Sequence, residues 1–158
     1  MLLLNQKLML SILVFLLQLY LNKILILQKK ALRMIYFADR RDHAIPLFLD
    51  ANILPINFHY YESISHVMHD INNNNAPLNM LNLFEKTSSI HSYNTRSSTS
   101  GKYYVKNSRL EKQKNAFSRF GVRLWNEIHR HITDLPKETF KKVLRQLLFD
   151  ILGKEAPL

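Results

Sequence analysis

His59, Glu62, His66 and His69 are the residues of this chain best typed for metal chemistry. Imidazole and carboxylate are both zinc ligands, and spacings of three, four and three put the four side chains on one face of a helix. Only side chains one turn apart on a single helix converge on one ion, so four in a row do not close a tetrahedron. The same helix carries Tyr61, Ile64 and Met68 as its apolar side, which predicts that the histidine side is solvated. The expectation is therefore no metal site. His129-Arg130-His131 is a weaker set, because side chains at i and i+2 diverge on a helix.

Tyr36-Phe37-Ala38-Asp39-Arg40 has the outline of the aromatic-x-Asp-Asp signature, in which adjacent carboxylates hold two divalent metals for phosphoryl transfer. Arg40 stands where the second anion is needed, and Arg41 adds a further cation. A helix end with local ion pairs is the better reading. Gly101, Gly121 and Gly153 are too isolated to build a phosphate-cradling loop, and no G-x-S-x-G elbow occurs. With no cysteine, thiolate nucleophiles, thiolate zinc sites and disulfides are excluded together. The sequence predicts no catalytic residues and no cofactor.

The remaining chemistry is basic and aromatic. A formal net charge of +10 attracts polyanions, either nucleic acid or an acidic membrane surface. Eleven of the 22 Lys and Arg residues lie between Lys102 and Lys142, against four acids, so the surplus is concentrated in the C-terminal half. Arg119, Arg123 and Arg130 are expected on one side of a helix, with Lys112 and Lys114 leading in. His91 to Arg96 sets Tyr93 and Arg96 on a loop, with Lys102, Tyr103 and Tyr104 close behind. Cations that grip phosphates and tyrosines that stack unpaired bases would suit RNA or DNA. The competing reading is a solvated helix face beside a polar loop.

The elements that must position these residues read as mainly α. Few glycines and prolines interrupt the chain. Ile24, Leu27, Ala31, Met34 and Ile35 recur at helical spacing, with Lys23, Lys29, Lys30 and Arg33 on the other side. Pro46 to Leu49 is a short apolar turn. A helix begins near Pro55, buries Tyr60, Tyr61, Ile64, Val67, Met68 and Ile71, and stops in the run Asn72–Asn75, since asparagine tolerates left-handed backbone. Pro77 to Phe84 is a short helix, Thr87 to Ser100 a Ser/Thr-rich loop, and Tyr103-Tyr104-Val105 a brief extended piece. Phe117, Phe120, Leu124 and Ile128 mark the next helix, with Trp125 its largest apolar group. In the last helix Asp134 is the expected cap, Pro136 lies in the first turn and Gly153 terminates. Its stripe is Phe140, Val143, Leu144, Leu147, Leu148 and Ile151.

The first segment resists one reading. Leu8 to Leu17 is apolar apart from Ser11 and follows Lys7, which resembles a signal peptide or anchor. No small-x-small cleavage site follows, and the uncharged stretch falls short of the roughly 20 residues of a spanning helix. A buried core helix and a membrane segment over residues 8–27 both remain open.

Four strings carry a family resemblance. Leu27-Gln28-Lys29-Lys30-Ala31-Leu32-Arg33-Met34-Ile35 resembles the "LQkkAlRiI" segment downstream of the palm in non-LTR (LINE-type) retrotransposon reverse transcriptases. His91-Ser92-Tyr93-Asn94-Thr95-Arg96 is similar to the H-x-Y-x-T-R segment of that family, and Gly121 to Ile128 to its "G-x-x-x-W-N-x-[LI]-P" segment. Phe140 to Leu148 follows the pattern of its closing helix. Order and approximate spacing agree from about Asn22 to Leu152. His129 departs from the family proline, and the residues before Leu21 do not continue the upstream pattern, as a frameshifted or fortuitously translated edge would not.

The resemblance implies a post-palm or thumb fragment of an RNA-directed DNA polymerase, cytoplasmic or nuclear, that lacks the catalytic aspartates and is missing its palm as a partner. The corresponding division is an apolar segment 1–21, a thumb-like helical region 22–85, a loop 86–101 and a basic helical region 102–158. The other function class left open is a small basic membrane-anchored protein with a cationic helical tail.

Overall fold

Runs of apolar residues at helical spacing, separated by asparagine and proline, produce a mainly helical fold in the computed structural model, which describes residues 20–90, 101–106 and 117–154. The helices among these residues are α1 (20–35), α2 (Ala44–Asp50), α3 (Ile56–Asn72), α4 (Leu78–Leu81), α5 (Thr87–Ile90), α6 (Phe117–Glu127), α7 (Arg130–Thr133) and α8 (Lys137–Lys154). Three of them end through a residue with positive φ: Phe37 after α1, Asn52 after α2 and Asn74 after α3. In each, the next N–H reaches back five residues, from Ala38 to the Arg33 carbonyl, Ile53 to Phe48 and Asn75 to Asp70. This is the Schellman closure, which satisfies carbonyls the helix leaves open. Asparagine adopts that backbone readily; Phe37 does so against its Cβ.

The core centres on α3, which packs against α6 and α8, while α8 also covers α2 and α7. Phe48, Leu54, Met68, Val122, Phe140 and Leu152 are fully buried. Gly121 permits the close approach of α6, since a Cβ there would stand 3.3 Å from the Met68 sulfur and 3.4 Å from Ile64. Where α3, α6 and α8 meet, the His69 ring stacks on Phe140 at 4.4 Å and meets Trp125 edge-on at 6.2 Å. The ion pairs Lys137–Asp70 and Arg145–Glu62 tie α8 to α3 at the surface. At the other end of α3, the Gln28 side-chain carbonyl of α1 accepts the Ile56 N–H at 2.9 Å, capping the helix from a distance.

Several expectations are corrected. The apolar stripe assigned to α1 faces outward: Ile24, Leu27, Met34 and Ile35 are exposed, and Leu25 and Leu32 face the core instead. The helix is apolar on both sides, and the larger set of matches lay on the unpartnered one. Pro46 falls inside α2, which starts two residues earlier. Of the expected Pro77–Phe84 helix only one turn forms, and Thr87 opens the helical turn α5 rather than a loop. Asp134 ends α7 and pairs with Arg130, leaving Pro136 ahead of α8, and Gly153 lies within that helix. On α8 the buried stripe is Phe140, Leu144, Leu148 and Leu152, while Ile151 is exposed. The apolar run Leu8 to Leu17 lies outside the described residues. Among those described, no helix is long and apolar enough to cross a membrane.

Candidate nucleic-acid interface

The histidine face of α3 is not solvated, because α8 lies on it. His69 is buried, with Nε2 2.9 Å from the Leu135 carbonyl, so that nitrogen carries the proton and donates. The Asn73 amide contacts its other ring nitrogen, Nδ1, at 3.2 Å. Glu62 sits between His59 at 3.1 Å and Arg145 at 3.4 Å. His66 lies edge-on to Phe140, and burial, opposed by Glu62 and Asp70, holds its pKa below the ordinary imidazole value. His66 and His69 thus pack against Phe140 while Glu62 is held in ion pairs with His59 and Arg145, and no group of three or more such ligands gathers among the described residues. Asp39 and Asp42, in the Tyr36–Asp42 segment, bond to backbone rather than forming the expected ion pairs. The Asp42 carboxylate accepts the Asp39 N–H at 2.7 Å, and Arg33 donates to the Asp42 carbonyl through two nitrogens.

A cleft of about 490 Å³ opens where the segment around Gly101 crosses α6 and α7. Lys86, Lys102, His129 and Arg130 line it, with Asn72, Trp125, Asn126 and Thr133, and the acids Glu127 and Asp134 share its wall. Its construction starts from an isolated antiparallel bridge between Lys86 and Tyr103. In that bridge the Thr87 N–H donates to the Lys102 carbonyl at 2.9 Å, and the Tyr104 N–H to the Glu85 carbonyl at 2.8 Å. The backbone groups of Tyr103 itself therefore point the other way, toward α6. There Asn126 Oδ1 accepts the Tyr103 N–H at 3.0 Å and Asn126 Nδ2 donates to the Tyr103 carbonyl at 2.8 Å. One amide side chain thus replaces a neighbouring strand, and the buried Trp125 beside it anchors the helix that carries it.

Of the residues singled out by sequence, Lys102 and Arg130 come together in this cleft. Arg130 is on α7 rather than on the helix of Arg119 and Arg123, and it pairs with Asp134 at 3.3 Å. Arg119 is half-buried and Arg123 exposed, and neither lines the cleft. Tyr103 is corrected outright. Its ring is only 5% exposed, meets Phe84 edge-on and directs its hydroxyl to Asn72 at 3.4 Å, so no base can stack on it. Burial raises its hydroxyl above the ordinary phenol value, which keeps it protonated as a donor. Tyr93, Arg96, Lys112 and Lys114 lie outside the described residues. Sequence reasoning missed Lys86, which stands 16 residues before Lys102 and reaches the cleft only through the bridge, and weighed His129, the neighbour of Arg130, only as a metal ligand.

No family model, curated protein or solved structure matches this chain.

Proposed function

We propose that the chain is the post-palm region of a non-LTR retrotransposon RNA-directed DNA polymerase, and that it grips nucleic-acid backbone weakly and without sequence preference. In this reading catalysis belongs to the palm of the parent polymerase, and Lys86, Lys102, His129 and Arg130 meet phosphates along the cleft. The observation that supports it is the use made of Trp125-Asn126. These two residues form the most distinctive part of the resembling strings, and they anchor and clamp the strand that brings Lys86 and Lys102 beside Arg130. Glu127 and Asp134 temper the cleft's positive charge, which fits weak binding. Contacts of cations to phosphates carry no sequence information.

The test is fluorescence anisotropy of a labelled single-stranded RNA titrated with the full chain across a salt series. Affinity should fall with a slope of about −0.7 per phosphate contacted. Replacing Lys86, Lys102 and Arg130 together by alanine should weaken binding and flatten that slope by about 2, from three contacts at roughly 0.7 each. A salt-independent affinity, or a triple variant that binds as the parent chain does, would refute the assignment.

A further inference from the structure

Among the described residues, the outward face of α1 is an extended apolar surface without a partner. Tyr20, Ile24, Leu27 and Met34 run along it, 58%, 41%, 62% and 77% exposed, and Phe37, 97% exposed, projects just beyond its C-terminal end. Their spacing keeps them within one narrow arc of the helix, about 24 Å long at 1.5 Å per residue. Exposed contiguous apolar surface of this kind marks an interaction site.

Charge decides what covers it. Lys23 and Lys30 are exposed along one edge of the arc, and Lys23 folds over the Tyr20 ring at 5.7 Å. No acidic residue occurs anywhere before Asp39, while Lys7, Lys23, Lys29, Lys30 and Arg33 do. A second copy docked on this face would set lysine against lysine with no acid on the helix to relieve it, so self-association is disfavoured. An occupant that is apolar in its interior and anionic at its edge is required. Aromatic rings at both ends of the arc, Tyr20 at one and Tyr36 and Phe37 at the other, suit the headgroup level of a bilayer, where amphipathic rings collect. Lysines at the edge bury their stems beside the apolar side chains and present ammonium groups to lipid phosphates.

We infer that α1 is an interfacial helix that lies in the plane of an anionic membrane, with Tyr20, Ile24, Leu27, Met34 and Phe37 entering the acyl boundary and Lys23 and Lys30 holding the headgroups. This surface is separate from the basic cleft and does not depend on the nucleic-acid reading.

The experiment is co-sedimentation of the full chain with vesicles of phosphatidylcholine alone and with 30% phosphatidylserine, without nucleic acid. The chain should pellet with the anionic vesicles and stay in solution with the neutral ones. Leu27→Asp with Met34→Asp, both at exposed positions, should lower binding at least about tenfold with the helical circular dichroism unchanged. Lys23→Gln with Lys30→Gln, which leaves every apolar side chain in place, should lower it about 25-fold, near fivefold per lysine. Both variants retain residues 1–19, so undiminished binding by them would place membrane contact elsewhere and overturn the inference. It is overturned equally if the parent chain ignores anionic vesicles. A dimer in sedimentation velocity that Leu27→Asp with Met34→Asp dissociates would instead assign the face to a second copy.

Discussion

Replacing Asn126 by alanine removes both bonds that hold Tyr103 to α6, the N–H contact at 3.0 Å and the carbonyl contact at 2.8 Å. Two neutral hydrogen bonds at about 1 kcal/mol each set a lower figure of about 2 kcal/mol. The site is part-buried, and no other strand stands on that side of Tyr103 among the described residues, so its N–H and carbonyl lose partners together. The penalty for uncompensated groups carries the total toward about 4 kcal/mol. For a chain of this size that lowers the melting temperature by roughly 4–16 °C. Thermal unfolding followed at 222 nm measures the global part. Hydrogen exchange at the Tyr103 amide measures the local part, where a loss of about 2 kcal/mol speeds exchange about 30-fold. Asn126→Asp sharpens the test. It keeps the acceptor but sets a carboxylate oxygen against the Tyr103 carbonyl, so at neutral pH it should be worse than alanine. Only the protonated acid can donate there, which raises its folded pKa; the variant is therefore stabilised below the ordinary carboxylate value and loses that stability as pH rises through the folded one. An alanine variant with unchanged melting and unchanged Tyr103 exchange would refute the clamp.

Two further outcomes follow from the packing of α3. Gly121→Val puts branched methyls where even a Cβ stands 3.3 Å from Met68, and overpacking of about 1–3 kcal/mol should lower the melting temperature by roughly 2–12 °C. Gly121→Ala should stay near neutral, because a helix-propensity gain of about 1 kcal/mol offsets the small shift asked of Met68, and a large loss there would show that Met68 cannot yield. Burial lowers the His66 pKa in the fold, so the unfolded chain takes its proton first as pH falls. This contribution is fully present above the unfolded value near 6.5 and lost as pH falls through the folded one, so urea midpoints measured from pH 7.5 to 5 should decline more steeply in the parent chain than in His66→Leu.

The helical class and most element positions were legible because apolar spacing, proline starts and asparagine stops agree over residues 55–75 and 117–152. What failed was choice of face. On α1 both sides are apolar, so periodicity alone could not say which one Leu25 and Leu32 would commit to the core. On α3 the histidines looked solvated because imidazole was counted as polar, whereas His69 behaves as an aromatic core residue once the Leu135 carbonyl accepts its N–H. The candidate site was half legible for a related reason. Lys102 and Arg130 could be read as cations, but their meeting with Lys86 depends on a single two-residue bridge and one amide clamp, and neither leaves a periodic trace. Tyr103 illustrates the reverse error, since an aromatic beside lysines suggests stacking until its ring is seen to be buried, edge-on to Phe84.

The position of α8 has a consequence for how the protein is made. His69 meets the Leu135 carbonyl across 66 residues and Glu62 meets Arg145 across 83, so the centre of the fold closes only once α8 has been translated. Until then α2 and α3 leave the ribosome with Phe48, Met68 and His69 without the cover that α8 supplies, and exposed apolar surface of that kind is prone to aggregation. A premature stop ahead of Lys137 would therefore do more than shorten the chain: it would withhold the helix that finishes its core and deliver an aggregation-prone product to the cell's degradation machinery.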